Sequence, residues 1–62
     1  MNIKIKFKNG KEYVYYSCSC FSIDDDDIDF DFLDSIDDLA IPLHAYFPLT
    51  DVQCIFILGD DN

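Results

Sequence analysis

Arginine is missing from this chain, and lysine is missing after residue 11. The four cations, Lys4, Lys6, Lys8 and Lys11, lie in the first eleven of 62 residues, while residues 12–62 hold all thirteen acids, for a net charge of −9. Such a balance repels nucleic acid and anionic membranes and draws basic surfaces from a distance. Glycine and proline occur only twice each, and the chain has no Gly-rich phosphate loop, G-x-S-x-G or C-x-x-C. Histidine occurs once, as His44 in "PLHAYFP", without a partner that local sequence identifies; a lone histidine on a strand is ordinarily structural. Paired catalytic carboxylates need one pKa raised by an apolar pocket, whereas these acids read as solvated. The expectation is a protein that is not an enzyme and takes no cofactor.

Long hydrophobic runs are lacking too. None approaches the ~18 residues of a membrane span, and "MNIKIKFKNG" alternates charged with apolar residues, unlike a signal peptide. The three cysteines, Cys18, Cys20 and Cys54, are an odd number without companion zinc ligands. On an extended chain Cys18 and Cys20 share one face without closing on each other, so buried free thiols in a reducing cytoplasm are expected.

What is present is apolar enough to fold: half the residues are hydrophobic and 16% aromatic, too many for a disordered chain. One small domain over residues 1–62 is expected, with no internal repeat or linker. A chain this short buries only about 60% of its unfolded surface, so marginal stability and a homodimer or other homo-oligomer are expected.

Residues 2–20 carry the strongest local signal. Asn9-Gly10 between two alternating runs predicts a two-residue hairpin with a type I′ turn. Counting outward from it, Lys8 faces Lys11, Lys6 faces Tyr13 and Lys4 faces Tyr15 on one side of the ribbon. Phe7, Ile5 and Ile3 meet Glu12, Val14 and Tyr16 on the other, and Cys18 and Cys20 continue that row. A lysine and tyrosine face can stack bases and hold phosphates, but the acidic remainder opposes nucleic acid; the stripe also offers the chain's own acids a cationic surface, within one chain or across a dimer.

The stretch "SIDDDDIDFDFLDSIDD" places nine aspartates among seventeen residues: Asp24, Asp25, Asp26, Asp27, Asp29, Asp31, Asp34, Asp37 and Asp38. From Asp27 the pattern alternates strictly, Asp27, Asp29 and Asp31 one way and Ile28, Phe30 and Phe32 the other, as in a half-buried strand. A helix competes, because Ile28, Phe32, Ile36 and Leu39 also share a helical stripe. The favoured reading is a strand over 28–33 and a short helical turn over 35–40, where Ser35 and Asp38 resemble a capping box, stopped by Pro42. Strands over 43–47 and 52–58 flank a turn at 48–51; the second, nearly all apolar, is expected at a sheet centre or against another subunit. The fold class is therefore all-β, an antiparallel meander or barrel of four to five strands with an N-terminal hairpin and a short helical turn, with an α+β chain carrying a helix over 24–40 as the alternative.

An EF-hand starting at Asp27 puts Phe32 where the loop needs glycine and Asp38 where it needs a bidentate glutamate, so no specific metal site is expected; low-affinity divalent binding at Asp24–Asp27 is a third reading. Carboxylates on one strand face repeat every ~6.8 Å, against a phosphate every ~3.4 Å along a DNA strand. The flanking aspartates, or a dimer, would bring the density closer to that of a nucleic-acid backbone. In size, in residues 24–38 and in its want of catalytic groups, the chain resembles the small acidic counter-defence proteins of phages and mobile elements, which bind CRISPR effectors or restriction enzymes, often by mimicking DNA. That resemblance implies a stoichiometric anti-CRISPR or anti-restriction inhibitor, commonly a homodimer, with the lysine stripe as a departure. The nine aspartates are the expected contact with a basic, nucleic-acid-handling partner; the rival expectation is a structural module assembling through 52–58 or the hairpin edge.

Overall fold

The computed structural model describes residues 1–59; the last three residues assigned above to the domain lie outside the described residues. Six strands follow one another: β1 (Asn2–Phe7), β2 (Glu12–Tyr15), β3 (Ser19–Ile23), β4 (Asp27–Ile36), β5 (Leu39–Pro48) and, after a 3-10 turn at Leu49–Asp51, β6 (Val52–Leu58). They form two antiparallel three-stranded sheets, ordered β2-β1-β6 and β3-β4-β5. The fold is all-β, the sheets stay open rather than closing into a barrel, and the helix over 24–40 does not form.

The core lies between the inner faces of the two sheets. Ile3 and Ile5 of β1 and Val52 of β6 meet Ile28 and Phe30 of β4 and Ala45 of β5, with Cys18 beside them. Tyr15 bridges the sheets, its ring 5.2 Å from Phe30 and 5.0 Å from Phe32, and Phe7 meets Phe47 at 5.1 Å. Burial chiefly pushes the Tyr15 hydroxyl above its ordinary pKa.

The N-terminal hairpin forms, but in a different register. Phe7 accepts from the Gly10 N–H at 3.0 Å and donates to the Lys11 carbonyl at 2.8 Å. The loop therefore has three residues, with Gly10 at φ +91° supplying the left-handed step and Asn9 Oδ1 accepting the Lys11 N–H at 2.9 Å. Ile3 consequently opposes Tyr15, Ile5 opposes Tyr13, Lys4 opposes Val14 and Lys6 opposes Glu12. This one-residue slip turns every β2 side chain over, so the lysine and tyrosine face does not exist. The two-residue turn would have put the Glu12 carboxylate on the core face, where unpaired burial is costly. The observed register sends Tyr15 there and leaves Glu12 outside, 3.3 Å from Lys4 Nζ.

The row expected to continue through both cysteines is broken. Ser17 has φ +54° and Cys20 φ +53°, and β3 pairs with β4 across a bulge between Ser19 and Ser22. These kinks carry the chain from one sheet to the other, burying Cys18 and exposing Cys20. The buried Asn2 fastens the crossing: its Oδ1 accepts the Ser17 N–H at 3.2 Å, while its Nδ2 donates to the Gly59 carbonyl at 3.4 Å.

The acidic strand forms and runs longer than 28–33, with Ile28 and Phe30 fully buried. The helical turn over 35–40 is replaced by a tight hairpin turn. Ser35 pairs with Ala40 and Ile36 with Leu39, leaving Asp37 and Asp38 at φ +52° and +64°, the backbone of a type I′ turn. Aspartate enters this region occasionally, at a cost that glycine does not bear. Pro42 therefore ends nothing; it lies inside β5, an outer strand whose free edge needs no proline N–H. The 3-10 turn occupies the expected 48–51 region, and β6 spans 52–58 as expected. It is an outer strand, however, and Phe56, Ile57 and Leu58 are exposed.

Candidate functional site

Alternation along β4 sets the site. With Ile28 and Phe30 buried on one side, Asp27, Asp29 and Asp31 must project from the other. β5 pairs so that His44 stands opposite Asp31 and Tyr46 opposite Asp29. In an antiparallel pair opposed residues share a face, so the carboxylates, the imidazole and the phenol form one polar array on the outside of the second sheet.

His44 lies within reach of both central acids, Nδ1 2.7 Å from Asp31 Oδ1 and Nε2 3.3 Å from Asp29 Oδ2. A protonated ring donates from both nitrogens, whereas a neutral ring has one N–H and turns a lone pair toward a carboxylate. The hydrogen bond to Asp31 accordingly raises the His44 pKa above 6.5, opposed by partial desolvation and reinforced by the charges of Asp31 and Asp29. The same bond lowers Asp31 below the usual carboxylate range, opposed by partial desolvation. At the other end Tyr46 donates its hydroxyl to Asp27 Oδ2 at 2.7 Å, and this bond is the main reason its pKa is raised.

The nine aspartates do not share one surface. Asp24, Asp25 and Asp26 are exposed in the β3–β4 turn, which the Asp24 N–H closes on the Asp27 carbonyl at 2.9 Å and the Leu49 N–H anchors on the Asp26 carbonyl at 2.8 Å. Repulsion from the Asp27 carboxylate chiefly raises the Asp24 pKa. Together with Asp27, Asp29 and Asp31 these three make a continuous acidic surface from the turn onto the sheet. Asp34 belongs to the opposite face of β4, and Asp37 and Asp38 form the distant hairpin tip. His44 and Tyr46 belong to the array although the sequence reading assigned neither to it. The signal was there: a type I′ turn at Asp37-Asp38, counted outward, sets His44 against Asp31.

The cations stand apart. Among the described residues the ion pairs are Lys4 with Glu12 and His44 with Asp29 and Asp31, so no lysine bridges to the acidic segment. Lys4 Nζ also lies 5.7 Å from the Phe56 ring centre on the outer face of the first sheet. Among the described residues no group of three or more His, Cys, Asp or Glu side chains is arranged to hold a metal ion, and no helix is long and apolar enough to cross a membrane. No protein-family model, curated protein or solved structure matches the chain.

Proposed function

We infer that this chain is a non-enzymatic, cytoplasmic protein-binding module, an inhibitor or decoy that engages a basic, nucleic-acid-handling partner. The observation that carries the reading is the acidic surface running from Asp24 to Asp31, set in place by the buried side chains of Ile28 and Phe30. Anchored carboxylates present charge at fixed spacing and steer a cationic partner before contact. His44 interrupts the row between Asp29 and Asp31, so the surface suits a protein with discrete Lys or Arg side chains better than it imitates an unbroken phosphate backbone. A counter-defence inhibitor of a nuclease is one such role.

The test is capture from the source cell's lysate, at low and raised salt, comparing the natural chain with a variant carrying Asp27→Asn, Asp29→Asn and Asp31→Asn. Basic proteins should be retained by the natural chain at low salt and lost by the variant. Retention of the same proteins with the same salt profile by both baits would overturn the reading.

A structural, self-assembling role is the second reading, favoured by β6. This outer strand has no charge, proline or glycine between Val52 and Leu58, the features that ordinarily protect an edge. Pairing two copies along it would bring no carboxylates face to face within the strand. It predicts a dimer that loses its mass in light scattering when Gln53, at the exposed start of β6, is replaced by proline, and that keeps it when the β4 aspartates are neutralised.

A further inference from the structure

The β4–β5 hairpin is ten residues long on each side, and the body of the protein covers only its first half. Its last inward-facing core residues are Phe30 and Phe32; β3 pairs with β4 no farther than Asp31, and the Leu33 N–H makes one more bond, to the Tyr16 carbonyl at 3.2 Å. Beyond it, residues 33–43 form a two-stranded arm in which β4 and β5 pair only with each other. The inward face of this arm prolongs the core face: Leu43 opposes Phe32, Ile41 opposes Asp34 and Leu39 opposes Ile36. Leu39 is 63% exposed and Ile36 51%. An isolated two-stranded ribbon is marginal in water, and a contiguous exposed apolar face of this sort marks an interaction site.

The charges on the arm select the occupant. Its ionisable groups are Asp34 within the apolar face and Asp37 and Asp38 at the tip, with no cation among residues 33–43. A second copy docked face to face would gather six such carboxylates around one apolar patch, and burying unpaired charge is expensive. A segment with apolar side chains and Lys or Arg about 10 Å apart, the span of three strand residues, would cover Ile36, Leu39 and Ile41 while pairing Asp34 and the tip.

We propose that the overhanging face of the β4–β5 arm is a docking surface for a basic amphipathic segment of a protein partner. This rests on the reading of the chain as a binder of basic proteins and adds that recognition is apolar as well as electrostatic. The acidic surface at 24–31 attracts the partner; the arm grips it.

Two synthetic peptides test this, one repeating lysine-leucine-leucine, which sets its lysines about 10 Å apart on an extended chain, and one of equal length and charge repeating lysine-serine-serine, each titrated into isotopically labelled protein. The leucine peptide should bind about tenfold more tightly and shift the amide signals of residues 33–43. Replacing Ile36→Ser and Leu39→Ser together should erase the difference between the peptides while the melting temperature and the His44 signals show an intact fold. Equal affinities, or shifts confined to residues 24–31, would overturn the docking surface and leave the acidic reading standing. Failure of both peptides to bind at low salt would overturn both. Self-association with slowed amide exchange at 33–43, rather than at 52–58, would assign the face to a second copy and reject the proposal.

Discussion

His44 shows how a single ionisable side chain can serve the fold and the surface together. Its pKa is raised by Asp31, so the folded state favours the protonated ring. The resulting stabilisation is complete below the unfolded value of 6.5 and is lost as pH rises through the higher folded value. Asp31 is lowered, so its contribution is present above 3.8 and is lost as pH falls through the folded value. Asp24, raised by Asp27, acts in the opposite sense to Asp31: folding is favoured where Asp24 is protonated and disfavoured as it ionises. The melting temperature of the natural chain should therefore exceed that of His44→Gln most between pH 3.8 and 6.5, and the two should converge at alkaline pH. A difference that stayed constant with pH would mean the ring contributes packing alone. Phe30 is the corresponding residue for the core. It is fully buried and lies against Tyr15, Phe21, Phe32 and Phe47. Phe30→Ala should cost about 3–5 kcal/mol, enough to unfold most molecules of a small domain, as circular dichroism with denaturant titration would show.

At the scale of elements, two turns decide which residues meet. The three-residue loop at Lys8, Asn9 and Gly10 sets the β1–β2 register, and the two-residue turn at Asp37-Asp38 sets that of β4–β5. Asp38 occupies φ +64°, a region that glycine enters without strain and that Asn-Gly favours at this kind of turn. Asp38→Gly should therefore stabilise the chain by about 1 kcal/mol, seen as a higher melting temperature; a lower one would mean that the aspartate makes a contact worth more than the strain. The two turns also explain what was legible locally. Alternation located β1, β4 and the outward row of Asp27, Asp29 and Asp31, because a strand with one buried face leaves a period of two, while β6 was located by its apolar run between turn residues. Asn9-Gly10 suits more than one loop length, and that ambiguity changed the face on which Tyr13 and Tyr15 lie. Asp37-Asp38 carries no glycine, so its left-handed backbone was hidden behind a resemblance to a helix cap, and with it the meeting of His44 with Asp31.

For the whole molecule, charge crowding is expected to outweigh the attractive pairs found among the described residues. With a net charge of −9, the melting temperature should rise with added salt, as the screening length falls from about 30 Å at 0.01 M to about 10 Å at 0.1 M. A fall would place the Lys4–Glu12 and His44–aspartate pairs above the general repulsion. Composition and periodicity by themselves favoured an all-β chain over one with a helix at 24–40, and determined the existence of its hairpin, the apolar final strand and a row of acids opposite Ile28 and Phe30, because those properties follow from side-chain alternation and from an apolar run bounded by turn residues. Only the tertiary structure decided which strands share a sheet, that β6 lies at an edge, that Asp34, Asp37 and Asp38 leave the surface of Asp24–Asp31, and that the arm overhangs the core. Each of these depends on the kinks at Ser17 and Cys20 and on the register of two turns, where a displacement of one residue exchanges the faces of a strand.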